Sequence, residues 1–278
     1  MCHFCATVRA HEVGTKWASK RTVLDRYWTL RLSPDDTRVL VNPETYVWVL
    51  DTRTSTRSRV ADANGALWMP TGQDVLYQGP GGLFVAPASG EGKHRQVAEG
   101  AFFPMSVSPN GRMIAGIGRA ADDGGALNDL FILSLDDGSM KPLVATEFAE
   151  GQAAFAPDGR WIAYTTDQTG RNEVYARPID GSRPAVQVSL DGGEHPFWRH
   201  DGAEMYFLSP TDEIVAVDVS GLTRAGTVGA RHVLFKMVTN DVTRELYPPY
   251  AVTRDGQRFL LSVPGAPEPL TLIQLPKR

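Results

Sequence analysis

The chain's two cysteines form one Cys2-x-x-Cys5 pair, with His3 and His11 close by. Thiolates and imidazoles at such spacing bind zinc or exchange disulfides. A structural zinc needs four ligands, and a redox pair needs a strand before it and a helix after it. Neither context is visible, so the pair reads as part of an inert terminal segment. Carboxylate pairs stand at Asp35-Asp36, Asp122-Asp123 and Asp136-Asp137. Neighbours on a strand point to opposite faces, so such pairs do not converge as a general acid and base. The first and last fall in predicted hairpins, where they bond the local backbone. Asp122-Asp123-Gly124-Gly125 lies in a long loop but lacks the spaced carboxylates of a calcium loop. No metal and no cofactor are expected.

The other histidines, His94, His195, His200 and His232, are scattered. His195 and His200 flank the run 196–199, one at the entry of a predicted strand and one in the hairpin beyond it. That separation is too long for a shared metal. There is no Gly-x-Ser-x-Gly elbow, no His-Glu-x-x-His and no Walker loop. Gly79-Pro80-Gly81-Gly82 is glycine-rich, but Pro80 and the strand-like run after it make it a hairpin turn. No catalytic motif is found, and the chain reads as a non-enzyme.

Aromatic side chains are better organised. Trp28, Trp68, Phe102, Phe155, Trp198 and Tyr250 fall on or beside the first strand of successive repeats. Packing between sheets accounts for some of them. Others are positioned to form an aromatic ring that grips a peptide or small ligand.

The elements that carry these rings follow from a recurring phrase. Ser33-Pro34-Asp35-Asp36, Ser108-Pro109-Asn110-Gly111, Ala156-Pro157-Asp158-Gly159, His200-Asp201-Gly202 and Arg254-Asp255-Gly256 are its clear copies, and Met69-Pro70-Thr71-Gly72 is a weaker one. Proline presets φ, Asp or Asn bonds the backbone just after it, and Gly takes the left-handed conformation that closes the hairpin. The copies recur at steps of about 36 to 54 residues, the signature of a β-propeller. Strands are predicted at 28–32, 38–41, 46–51 and 57–60 in the first blade, and at 66–69, 74–77, 82–86 and 94–98 in the second. The third uses 102–107, 113–117, 129–135 and 141–145; the fourth uses 152–156, 161–165, 173–177 and 185–189. The fifth uses 196–199, 204–208, 214–219 and 232–235, and the sixth only 249–252, 258–263 and 270–275. An open edge invites aggregation, so 22–24 is expected to supply the missing strand. The fold class is therefore all-β: a six-bladed β-propeller of four-stranded antiparallel blades, closed by an N-terminal strand that completes the last blade. Residues 1–20 are expected to be a poorly ordered tail and 21–278 a single domain.

Bulk numbers agree with a turn-dense β fold: 278 residues with 27 Gly, 19 Pro and 42% hydrophobic residues. A net charge of −4 gives no basis for nucleic-acid binding. No apolar run approaches the roughly 20 residues that span a bilayer, and the N-terminus lacks a hydrophobic signal core. As given, the chain reads as soluble and not exported by itself.

The run Phe155-Ala156-Pro157-Asp158-Gly159-Arg160-Trp161-Ile162-Ala163-Tyr164, with its continuation 172–181, resembles the WD-like repeat of TolB-like propellers. The segments 189–208 and 250–260 are similar to the late blades of propellers that follow bacterial serine/threonine kinase domains. No kinase signature precedes them here. The resemblance implies a non-catalytic recognition module with a protein or peptide partner, and an envelope, periplasmic location if the chain is a piece of a longer protein. Candidate contacts at the funnel face, where first strands begin, are Trp68, Phe102, His195, Trp198 and Tyr250. Two alternatives stand beside this reading. One is a sensor or regulatory part of a kinase or prolyl-oligopeptidase-type peptidase. The other is a propeller enzyme, such as a lyase, lactonase or glycosidase, with a channel metal.

Overall fold

A computed structural model of the protein describes residues 30–42, 45–54, 56–118, 129–237, 247–262 and 270–275. These form six antiparallel sheets, each an up-and-down meander of strands consecutive in the chain. The first sheet contains β1 (Leu30–Leu32), β2 (Arg38–Val41), β3 (Tyr46–Asp51) and β4 (Arg57–Asp62). The second has β5 (Asn64–Trp68), β6 (Asp74–Gly79), β7 (Gly82–Pro87) and β8 (Arg95–Glu99). In the third are β9 (Phe102–Val107), β10 (Met113–Gly118), β11 (Asp129–Ser134) and β12 (Met140–Val144). The fourth comprises β13 (Glu150–Phe155), β14 (Trp161–Thr166), β15 (Glu173–Pro178) and β16 (Val186–Gln187). The fifth is β17 (Glu194–Trp198), β18 (Glu204–Leu208), β19 (Glu213–Asp218) and β20 (Arg231–Lys236), with a helical turn, α1 (Leu222–Ala225), between its last two strands. The sixth holds only β21 (Tyr250–Val252), β22 (Arg258–Ser262) and β23 (Leu270–Gln274).

The all-β propeller class is as the repeat predicts, but the blade count is not. Five blades are four-stranded and the last sheet has three strands, so the expectation of six four-stranded blades is corrected. The expected fourth strand of the last sheet was assigned to a segment far from it in the chain. Between Tyr250 and Gln274 there is one Asp255-Gly256 hairpin and one longer connection, enough for three strands. Residues 22–24, expected to complete that sheet, lie outside the described residues, as do Trp28 and the segment 1–20.

The recurring hairpins work as their residue types require. The carboxamide or carboxylate at the third position accepts the backbone N–H two residues on: Asp35 from Thr37 (3.2 Å), Asn110 from Arg112 (3.0 Å), Asp158 from Arg160 (2.9 Å), Asp201 from Ala203 (3.0 Å) and Asp255 from Gln257 (2.9 Å). Ser33, Ser108 and Thr253 add a hydroxyl that bonds the same side chain.

Inner strands of neighbouring sheets pack face to face, β5 on β9, β9 on β13, β13 on β17 and β1 on β21. Apolar clusters span these seams. Leu67, Leu76 and Leu83 of the second sheet meet Phe102, Ile114 and Phe131 of the third. Leu30, Val39 and Val41 of the first meet Ala251 and Leu260 of the last. The hairpins also touch in sequence. A Cβ on Gly72 would sit 3.3 Å from Pro34, one on Gly111 3.5 Å from Pro70, and one on Gly159 3.5 Å from Pro109. At the closing seam Asp36 stands where other copies have Gly, with φ 58°, and its carboxylate accepts the Arg254 N–H at 2.9 Å. Among the described residues, the first and last sheets are thus joined by packing and by a long-range hydrogen bond.

Candidate functional site

A cavity of about 450 Å³ lies where the innermost strands converge, and β1, β5, β9, β13, β17 and β21 all contribute to its wall. It extends to the hairpin turns at Pro34, Pro70, Pro109, Pro157, His200 and Arg254. At the other end of the strands, Tyr247 lies just before β21. Its ring packs 5.6 Å from Phe103 of the third sheet, and its hydroxyl lies 3.5 Å from the position of a Cβ on Gly65.

Three inner strands carry a bulge at the same place. In β5 the extra residue is Gly65; in β13 it is Gln152 with Ala153; in β17 it is His195 with Pro196. The first bulged residue is left-handed in each case, with φ of 62°, 50° and 54°. Glycine adopts that geometry freely, whereas Gln and His do so at a cost that the surroundings must offset. A bulge re-aims a strand's side chains, and here both residues line the cavity. They are bonded to each other. The Gln152 Oε1 accepts the His195 N–H at 2.8 Å and the Thr165 hydroxyl at 2.8 Å, and its Nε2 stands 3.3 Å from His195 Nε2. The Tyr250 hydroxyl donates to the His195 carbonyl at 2.6 Å. His195 is buried, and its backbone is held from both sides.

Arg31, on β1, supplies positive charge. Its side chain reaches across to the third sheet, with Nη2 3.5 Å from the Met105 carbonyl. Burial lowers its pKa to about 10, which leaves it cationic at neutral pH. The phenols of Tyr247 and Tyr250 lie beside it, and burial raises both, that of Tyr247 to about 12. They stay neutral and do not cancel the charge.

Two indoles brace the wall. Trp68 Nε1 donates to the Arg31 carbonyl at 3.1 Å, and Trp198 Nε1 to the Ala154 carbonyl at 3.0 Å, each reaching the inner strand of the preceding sheet. Of the five residues singled out from sequence, Trp68, His195 and Trp198 line the cavity. Phe102 packs in the seam between the second and third sheets, and Tyr250 in the seam between the fifth and sixth. Arg31, Gln152 and Tyr247 escaped sequence reading. For Gln152 a signal existed: it stands at the same spacing before its turn proline, Pro157, as Gly65 does before Pro70. Tyr247 carried none, because its partner Phe103 is remote in the chain.

Among the described residues, no group of three or more His, Cys, Asp or Glu side chains is arranged to hold a metal ion. Cys2, His3, Cys5, His11 and Asp122-Asp123 lie outside the described residues. His200 is exposed on a hairpin, and Gly79 pairs with Gly82 across a β6–β7 turn. None of the described helices is long and apolar enough to cross a membrane.

No protein-family model matches the sequence. Solved structures do. A putative TolB from Agrobacterium tumefaciens superposes with a TM-score of 0.63 at 20% identity, covering 76% of this chain and 81% of its own. TolB from Acinetobacter baumannii gives 0.61 at 14%, covering 85% and 57%. An oligogalacturonate lyase in complex with manganese gives 0.61 at 13%, covering 90% and 89%. At such identities the likeness is one of fold. The protein has an all-β propeller fold similar to that of TolB.

Proposed function

We propose that the protein is a non-catalytic recognition module that takes a peptide segment of a protein partner, or a small ligand, into the channel between its sheets. The observation that carries this reading is the cavity of about 450 Å³ walled by the inner strands of all six sheets. Its size is in the range of ligand sites. Rigid sheets hold its lining in fixed relation, so binding needs little ordering. Trp68, His195 and Trp198 are the wall residues of this reading, with Phe102 and Tyr250 supporting them from the seams. The half-buried Leu32, Val107, Ala154 and Phe197 give the wall an apolar face.

Ala154→Phe tests the proposal, because the new ring fills the channel while Ala154 itself makes no side-chain hydrogen bond. A random peptide library panned against the wild-type protein should yield binders that lose affinity tenfold or more against the variant, with both proteins melting at the same temperature. Binders that ignore the substitution would place recognition elsewhere.

The enzyme reading is favoured by one observation, the histidine and glutamine side by side in the channel of a fold shared with a manganese-bound lyase. It predicts a stoichiometric divalent metal in purified protein and turnover of an acidic oligosaccharide. The regulatory reading rests on the resemblance of 189–208 to kinase-linked propellers and predicts a catalytic domain encoded in the same reading frame.

A further inference from the structure

We propose that the channel captures its ligand by a carboxylate, with Arg31 as the anchor. This rests on the channel's being the recognition site and names the class of ligand it takes.

Arg31 is a cation with unfilled bonding capacity. Its Nε is buried and has no hydrogen-bond partner among the described residues, and its Nη2 stands 3.5 Å from the Met105 carbonyl. None of the ion pairs among the described residues includes it. A charge withdrawn from water is costly unless paired, and the cost is recovered when an anion arrives. No described residue of the wall plays that part. Among the described residues the one carboxylate lining the cavity, Asp36, sits among the hairpins and already accepts the Arg254 N–H. The neighbouring phenols of Tyr247 and Tyr250 remain uncharged. A guanidinium offers parallel N–H groups that match the two oxygens of a carboxylate. The apolar surface of Leu32, Val107 and Phe197 then favours an acid with an apolar body over a bare inorganic anion. Two sources share this chemistry, the C-terminus of a peptide and a free organic acid.

Isothermal titration of the full chain with four probes separates the possibilities: N-acetyl-L-phenylalanine, phenylacetate, the neutral N-acetyl-L-phenylalaninamide, and inorganic phosphate. Both acids should bind the wild-type protein, and the amide at least about tenfold more weakly, as expected for a charge-assisted pair. The tighter acid identifies the source. Arg31→Gln should weaken acid binding about tenfold or more and leave the amide unchanged, and Arg31→Lys should fall between. Melting temperatures of both variants establish that they fold. Failure of both acids to bind, equal affinity for the amide, binding of phosphate alone, or unchanged acid affinity in a folded Arg31→Gln protein would each overturn the assignment. If the amide binds as well as the acids and loses affinity in Ala154→Phe, the channel remains the recognition site and only the carboxylate anchor is removed.

Discussion

Gln152 and His195 hold a conformation that glycine fills without strain, and each is kept there by the other. The Gln152 Oε1 is the shared acceptor for the His195 N–H and the Thr165 hydroxyl. Removing it leaves an N–H at a buried residue without that partner. Gln152→Ala should therefore destabilise the fold by about 1–3 kcal/mol, the cost of an unsatisfied buried group. Gln152→Gly loses the same acceptor but relieves a left-handed penalty of about 1 kcal/mol, so it should be the less damaging of the two. Urea denaturation of both variants measures the order; an alanine variant as stable as the glycine variant would mean that the left-handed conformation costs nothing here. The backbone at this point is held by side chains rather than by turn chemistry. That is what one expects where a wall is shaped for contact rather than for folding alone.

At the scale of elements, one hairpin design is used six times with local edits. The third-position Asp or Asn, or Thr71 in one copy, fixes the turn from within, and the fourth-position residue is left-handed. Because the copies differ in what surrounds that residue, equal substitutions should have unequal effects. A Cβ on Gly111 would rest 3.5 Å from Pro70, an ordinary contact, so Gly111→Ala should cost only the left-handed penalty, about 1–2 kcal/mol. A Cβ on Gly256 would fall 2.5 Å from the Tyr206 hydroxyl and 2.7 Å from Arg199 Cδ. Both partners are engaged, Arg199 with Asp201 (2.7 Å) and Glu204 (2.6 Å), and Tyr206 with Glu204 (3.2 Å). Gly256→Ala should be the more destabilising, and thermal melts of the pair decide it.

For the molecule as a whole, the first and last sheets meet through a small apolar cluster and through Asp36. Asp36 accepts a left-handed backbone, and its side chain bonds the one hairpin whose second residue is an arginine with an N–H to offer. Asp36→Ala keeps the strain and loses the bond, so it should destabilise by about 1–2 kcal/mol. Asp36→Gly, which removes both, should lie close to wild type. If instead both variants melt like the wild-type protein, the seam is held by packing alone. Tyr247 acts at the same scale. From just before β21, its ring packs 5.6 Å from Phe103 of the third sheet, a contact between residues far apart in the chain.

Turn chemistry and alternation were legible without a structure because both are local. The five hairpins containing Asp-Gly, Asn-Gly or Asp-Asp fixed where strands stop and start, and the structure's strands begin and end close to those limits. Three of the departures share a cause. Strands β5, β13 and β17 each begin two residues before the predicted start, because a bulge at Gly65, Gln152 or His195 interrupts the period of two by which a strand is read. The number of four-stranded blades was overestimated because 22–24 was assigned to the last sheet, whose own segment supplies three strands. The candidate site divides in the same way. Trp68, His195 and Trp198 were visible as aromatic and titratable residues on inner strands, while Arg31 and Tyr247 became meaningful only when distant strands were set around an axis. Which side chains share a cavity depends on contacts between residues far apart in the chain, and local pattern holds no record of those. Sequence alone determined an all-β repeat with its turns; tertiary packing decided that its inner strands enclose a channel with a half-buried cation in its wall.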